Sequence, residues 1–189
     1  RYIVLKKLKE ILFKVNIDSV YGDTEINVSK ITFDSREVEN NALFIAISGH
    51  NYDGHDYISQ STKNGASVVV CENLPTNFKE SNIVFICVKC SKTALSIIAS
   101  NFFDNPSSKI DLIGITGTNG KTTISSLLNN LFNELKVKSG LISTINIKYG
   151  EYTENSNNTT PDPITINSHL SKMIKRKIKV CFIEVSSHG

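Results

Sequence analysis

The segment Gly114-Ile-Thr-Gly-Thr-Asn-Gly-Lys-Thr-Thr123 constrains this chain more than any other. It follows an apolar run, Ile110-Asp-Leu-Ile-Gly-Ile115, and precedes a stretch in which Ile124, Leu127, Leu128, Leu131, Phe132 and Leu135 recur at helical spacing. The first run predicts a buried strand and the second a helix with one apolar face. A glycine-rich turn joining a strand directly to a helix N-terminus suits a phosphate. Gly117 and Gly120 let the backbone turn with its N–H groups pointing inward, and the positive end of the helix dipole faces the same point. Lys121 can reach the outer phosphates, and the Thr122 hydroxyl can ligate Mg²⁺. The common G-x-x-x-x-G-K-[ST] loop would begin with glycine where this chain has Ile115. That departure weakens a generic GTPase or kinase reading.

The remaining pattern is α/β. Leu43-Phe-Ile-Ala-Ile47, Ser67-Val-Val-Val-Cys71 and Ile83-Val-Phe-Ile-Cys-Val88 read as strands. Asp56 is expected to cap a short helix ending at Gly65, and a helix is expected over Lys92 to Phe103 with Ile97, Ile98 and Phe102 on one side. Asp104-Asn-Pro-Ser-Ser108 is the linker candidate. Beyond it Leu141-Ile-Ser-Thr-Ile145 and Val180-Cys-Phe-Ile-Glu-Val185 are strands, and Asp162-Pro163 opens a helix with a capping residue and proline in the first turn. The expectation is two domains. Residues 1–106 form a small N-terminal α/β domain, and residues 107–189 begin a doubly wound, parallel-sheet nucleotide-binding domain that is incomplete.

Composition excludes several classes. A hydrophobic content of 40%, a charged content of 21% and a formal charge of +3 are ordinary for a soluble domain and argue for neither nucleic acid nor membrane as a partner. The basic cluster at Lys172, Lys175, Arg176, Lys177 and Lys179 reads as the solvated end of a helix. No apolar run approaches a membrane span, and the start, Arg1-Tyr-Ile-Val-Leu-Lys-Lys-Leu, alternates like an amphipathic helix rather than a signal peptide, so a cytoplasmic location is expected. Cys71, Cys87 and Cys181 lie in apolar runs as small hydrophobes, and the Cys87–Cys90 pair lacks further zinc ligands at suitable spacing.

The loop G-x-T-G-T-N-G-K-T-T resembles the ATP loop of the Mur ligases, and three further segments in order are similar to the MurE branch of that family. The first comprises Phe33-Asp-Ser-Arg36, Ala42-Leu-Phe-Ile-Ala46 and Ser48-Gly-His-Asn-Tyr-Asp-Gly-His55. Read alone it is a polar turn, a buried strand and a glycine-bounded loop. The resemblance implies that it holds the uridine diphosphate end of a substrate, with Ser35, His50, Asn51 and Tyr52 around the nucleotide and a backbone contact near Phe33. The second is Asn158-Thr-Thr-Pro-Asp-Pro163, in which the resemblance gives Asn158, Thr159 and Thr160 to the muramoyl-peptide part. The third is Glu184-Val-Ser-Ser-His188, in which it makes Glu184 a Mg²⁺ ligand and Ser186 a substrate contact, with the role of His188 open. A buried, unpaired glutamate would be costly, which favours a cation there.

What the resemblance implies is ATP- and Mg²⁺-dependent amide synthesis. A carboxylate of UDP-N-acetylmuramoyl-L-alanyl-D-glutamate attacks the γ-phosphate, and the amine of meso-diaminopimelate or L-lysine displaces phosphate from the acyl phosphate. Lys121 and Glu184 would be catalytic. Gly117, Thr118, Asn119, Gly120, Lys121, Thr122 and Thr123 would bind the nucleotide, with Thr122 and Glu184 at the metal. By the same resemblance this is the front of a longer, monomeric enzyme, inactive by itself, whose half-sheet would expose an apolar face. The folylpolyglutamate synthetases are one alternative, although they usually carry Gly-Ser where this chain has Thr122-Thr123. A non-catalytic nucleotide-binding module is the other.

Overall fold

Apolar runs become sheet strands in both halves of the chain. The run at residues 110–115, expected to be buried, is exposed between Ile110 and Ile115 because its strand lies at a sheet edge. The computed structural model describes residues 5–49, 52–76, 78, 82–156 and 159–186. The chain divides into two compact units, Arg1–Phe102 and Phe103–Gly189.

The first unit contains β1 (Lys6–Lys7), α1 (Leu8–Ile11), β2 (Ile17–Tyr21), β3 (Asn27–Val28), β4 (Lys30–Thr32), β5 (Ala42–Ile45), α2 (Ile58–Lys63), β6 (Ala66–Cys71), β7 (Val84–Val88) and α3 (Ser91–Phe102). Its main sheet has the order β2-β7-β6-β5-β4, parallel except for β2 against β7. Phe44, Val69, Phe85 and Ile58 are buried in one cluster with Cys71 and Cys87. Burial, with Cys87 beside it, pushes the Cys71 thiol up to about 12, so it packs as an apolar group.

Three expectations change here. The N-terminal segment is not an amphipathic helix in its described part: Lys6–Lys7 pairs with β3, and helix begins only at Leu8. The cap before α2 is Asp53 rather than Asp56. Its carboxylate accepts from the His55 N–H at 3.0 Å and opens a 3₁₀ turn, Gly54–Tyr57, that runs into the helix. In α3 the buried stripe is Ala94, Leu95, Ile98 and Ala99, and Ile97 is only half-buried.

The second unit contains β8 (Asp111–Ile115), α4 (Lys121–Glu134), β9 (Ser139–Ile142), β10 (Asn146–Tyr149), β11 (Tyr152–Asn155), α5 (Pro163–Lys175) and β12 (Val180–Glu184). Residues 104–108 belong to this unit, where Pro106–Ser108 form a 3₁₀ turn with Pro106 buried. The sheet order is β11-β10-β9-β12-β8. β8, β12 and β9 are parallel, as expected, but β10 and β11 form an antiparallel hairpin, which makes the sheet mixed. Helix α5 covers one face through Leu170 and Met173, which pack with Ile142, Ile147 and Cys181. Helix α4 lies on the other, where Leu128 and Phe132 meet Leu141 and Phe182. As expected, Asp162 caps α5, its Oδ1 accepting from the N–H groups of Ile164 and Thr165 at 2.8 and 3.0 Å. Among the described residues, no helix is long and apolar enough to cross a membrane.

Candidate functional site

Two sites emerge, one in each unit. In the second, the carboxyl ends of the parallel strands β8, β9 and β12 converge, which is where ligands gather in open α/β sheets. The turn leaving β8 adopts the conformation that its glycines permit: Gly117 has φ +149° and Gly120, the cap of α4, φ +80°. Thr118, Asn119, Gly120 and Thr123 are exposed around it. The Lys121 ammonium folds back over the turn, donating to the Gly117 carbonyl at 2.6 Å and lying 3.5 Å from that of Thr118.

Glu184, at the end of β12, is fully buried. Its Oε2 accepts from the Thr122 hydroxyl at 3.0 Å and from the Thr144 hydroxyl at 2.7 Å, and its Oε1 lies 3.2 Å from the Ser125 hydroxyl, whose one proton is shared with the Thr122 carbonyl at 3.1 Å. Three hydroxyls therefore lie within hydrogen-bond distance of this buried carboxylate, so its burial does not by itself require a cation. The donor set nevertheless fits Mg²⁺. Thr122 Oγ1 and Glu184 Oε2 are hard oxygen donors 3.0 Å apart, about the spacing of adjacent ligands in an octahedron of ~2.1 Å bonds. Ser125 and Thr144 were not singled out by the sequence. Ser125 lies one helical turn beyond Thr122, and Thr144 follows the strand adjacent to β12, so only the folded sheet brings them together.

The Thr159–Pro163 part of the Asn158-Thr-Thr-Pro-Asp-Pro163 motif reaches the same strand end through Thr160. Thr160 Oγ1 donates to the Glu184 carbonyl at 3.2 Å and accepts from the Ser186 N–H at 3.0 Å. Thr159 is half-buried beside it. Asn158 and His188 lie outside the described residues.

In the first unit a cleft of about 730 Å³ is lined by Phe33, Ser35, Arg36, Tyr52 and Tyr57, with Ile47, Phe44 and the loop glycines Gly49 and Gly54. It brings together three of the expected substrate residues, Phe33, Ser35 and Tyr52, whereas His50 and Asn51 lie outside the described residues. Asp34 opens the turn by accepting the Arg36 N–H at 2.9 Å, and the Arg36 guanidinium grips both of its oxygens, at 2.9 and 2.6 Å. That grip holds the Asp34 carboxyl below the usual range. Ser35 is buried, its carbonyl fixed by the Asn64 amide at 2.9 Å. Arg36 and Tyr57 are lining residues that the sequence reading did not assign. Tyr57 falls in the first turn of the helix expected after Asp56, a position with no binding signal of its own.

The sequence model of the Mur ligase family catalytic domain matches residues 27–106, and that of the Mur ligase middle domain matches residues 115–189. The chain belongs to the Mur ligase family. A UDP-N-acetylmuramoyl-L-alanyl-D-glutamate--2,6-diaminopimelate ligase of Cytophaga hutchinsonii is 46% identical over 183 residues, covering 97% of this chain. The chain spans 38% of that Mur ligase's length. A solved structure of a ligase of the same name superposes with a TM-score of 0.74 at 22% identity, covering 98% of this chain and 37% of the other. The MurF ligase from Thermotoga maritima in complex with ADP gives 0.56 at 21% identity, covering 84% and 32%. At these identities the structural likeness speaks to the Mur ligase fold alone.

Proposed function

We propose that this chain is the front part of an ATP-dependent amide ligase, monomeric as a whole protein, that extends UDP-N-acetylmuramoyl-L-alanyl-D-glutamate by one amino acid. In this reading the first unit, Arg1–Phe102, binds the uridine nucleotide end and the second, Phe103–Gly189, binds ATP. The amino acid is 2,6-diaminopimelate, which is supported by the name of the relative.

The observation that carries the reading is Thr160, which bridges the Glu184 carbonyl and the Ser186 N–H at 3.2 and 3.0 Å. A ligase that makes an acyl phosphate must hold a carboxylate against the γ-phosphate of ATP. Thr160 ties the segment proposed for the muramoyl peptide to the strand end that carries the Glu184 carboxylate. On arrival of ATP, Lys121 leaves the Gly117 carbonyl for the outer phosphates, while the turn amides and the α4 N-terminus orient them. Thr122 and Glu184 would hold Mg²⁺, which when bound neutralises charge on the phosphates. The substrate carboxylate then forms the C–O–P bond as ADP departs, and the incoming amine displaces phosphate.

Binding of UDP-N-acetylmuramoyl-L-alanyl-D-glutamate, measured by calorimetry, tests this. Saturable binding weakened by both Ser35→Ala and Thr159→Ala is expected. A folded chain that binds MgATP but not this substrate would reduce the reading to a nucleotide-binding module.

A further inference from the structure

We infer that His55 is a positioning residue for the cleft of the first unit: its ring, held as the Nδ1–H tautomer, staples the loop that carries Tyr52 to the end of β6. The inference rests on the reading of that cleft as the uridine-nucleotide site.

The tautomer follows from the partners. Nε2 of His55 accepts the backbone N–H of Glu72 at 2.9 Å and lies 3.4 Å from that of Asn73. A backbone amide is always a donor, so Nε2 must present its lone pair, and the neutral ring then carries its proton on Nδ1. Nδ1 faces Asp53 Oδ1 at 2.6 Å, a carboxylate oxygen that can only accept. The His55 side chain is 13% exposed and that of Asp53 47%, so the bond to the Glu72 N–H is the better shielded of the two. His55 thus uses one nitrogen toward its own loop and the other toward the sheet.

Both ends of this link are firm. On the loop side, Gly54 N–H donates to the Ile47 carbonyl and Gly49 N–H to that of Tyr52, each at 2.9 Å. A Cβ on Gly54 would lie 2.5 Å from the Ile47 nitrogen, so only glycine lets the chain pass this close to the end of β5. On the sheet side, the Glu72 carboxylate accepts both the N–H and the hydroxyl of Ser91 at 2.8 Å, which ties the end of β6 to the start of α3. The Ser91 bonds, more than any charge, hold the Glu72 carboxyl below its usual range.

The function of such a link is to set the cleft's lip before a ligand arrives. Gly49 and Tyr52 of this loop line the cleft, as do Gly54 and Tyr57 of the 3₁₀ turn that follows it. Tyr52 is 74% exposed and has little packing of its own to orient it. A lip ordered in advance spares the ligand the entropy of ordering it, so removal of the link weakens nucleotide affinity without touching a ligand contact.

The test titrates UDP, and MgATP separately, into the chain carrying His55→Ala or His55→Gln, with thermal unfolding in parallel. Glutamine places a carbonyl oxygen near the position of Nε2 and keeps an acceptor for the Glu72 N–H, whereas alanine does not. UDP affinity is expected to fall about tenfold with alanine and to return to within about threefold of wild type with glutamine. MgATP affinity is expected to stay unchanged in both. In ¹⁵N-labelled wild-type protein, the His55 ring should show a protonated Nδ1 and a bare Nε2, a readout that holds even if His55→Ala fails to fold. Unaltered UDP affinity in the alanine variant, no recovery with glutamine, or a protonated Nε2 in wild type would each overturn the inference. Wild-type protein that binds MgATP but not UDP would overturn the reading of the cleft, and this inference with it.

Discussion

Helices α4 and α5 flank the same sheet and have similarly patterned sequences, yet they bury opposite kinds of residue. Helix α5 turns Leu170 and Met173 inward, 1% and 0% exposed, beside the buried His169. Helix α4 turns Ser125 and Asn129 inward, while Ile124, Leu127, Leu131 and Leu135 are 50–65% exposed. Only Leu128 and Phe132 of its apolar series pack on the sheet, Phe132 meeting Phe182 edge-on with ring centroids 5.1 Å apart. The strand beside it, β8, lies at the sheet edge with Leu112 and Ile113 also about 40% exposed. One helix closes a core. The other delivers hydroxyls to a buried carboxylate and leaves its apolar side uncovered. Hydrophobic periodicity identifies a stripe, but the stripe need not face the nearest sheet.

Substitution on the inward faces should give the largest effects. Leu170→Ala removes a fully packed side chain and should lower the stability of the second unit by about 2–5 kcal/mol, read from urea unfolding. A loss below ~1 kcal/mol would mean that α5 does not close the core as described. Ser125→Ala takes one of three hydroxyl donors from Glu184 and should cost about 1–3 kcal/mol, by the same measurement, because a buried acceptor loses its partner. An unchanged midpoint would remove the polar inward face of α4 from the comparison. The smallest change is expected for Leu127→Gln with Leu131→Gln. Stability should shift by no more than about 0.5 kcal/mol, while self-association in sedimentation velocity should fall. A large loss of stability would show that this stripe is covered after all.

Much of both sites is legible in the sequence. The turn from Gly114 to Thr123 is local chemistry, since a glycine-rich strand-to-helix turn dictates its own geometry, and Asp162-Pro163 likewise specifies where α5 starts. The hairpin of β10 and β11 was missed because its strands are four residues each, with only Ile147 and Tyr149 alternating as buried positions before the turn at Gly150. The cap before α2 was misplaced by three residues for a different reason. Asp53 and Asp56 are equally good caps by type, and the approach of Gly54 to Ile47 decides between them.

Short-range signals suffice for the glycine-rich turn, the capped helix, the parallel strands and the family to which they belong, though not for the exposure of β8. Long-range contacts alone set which side of α4 faces the sheet, bring Ser125 and Thr144 to Glu184 beside Thr122, and let His55 span from its loop to the end of β6. Each of these depends on groups far apart in the chain meeting within hydrogen-bond distance. Such a meeting leaves no periodic trace, because a single serine, threonine or histidine looks the same in sequence whether it faces solvent or a buried partner.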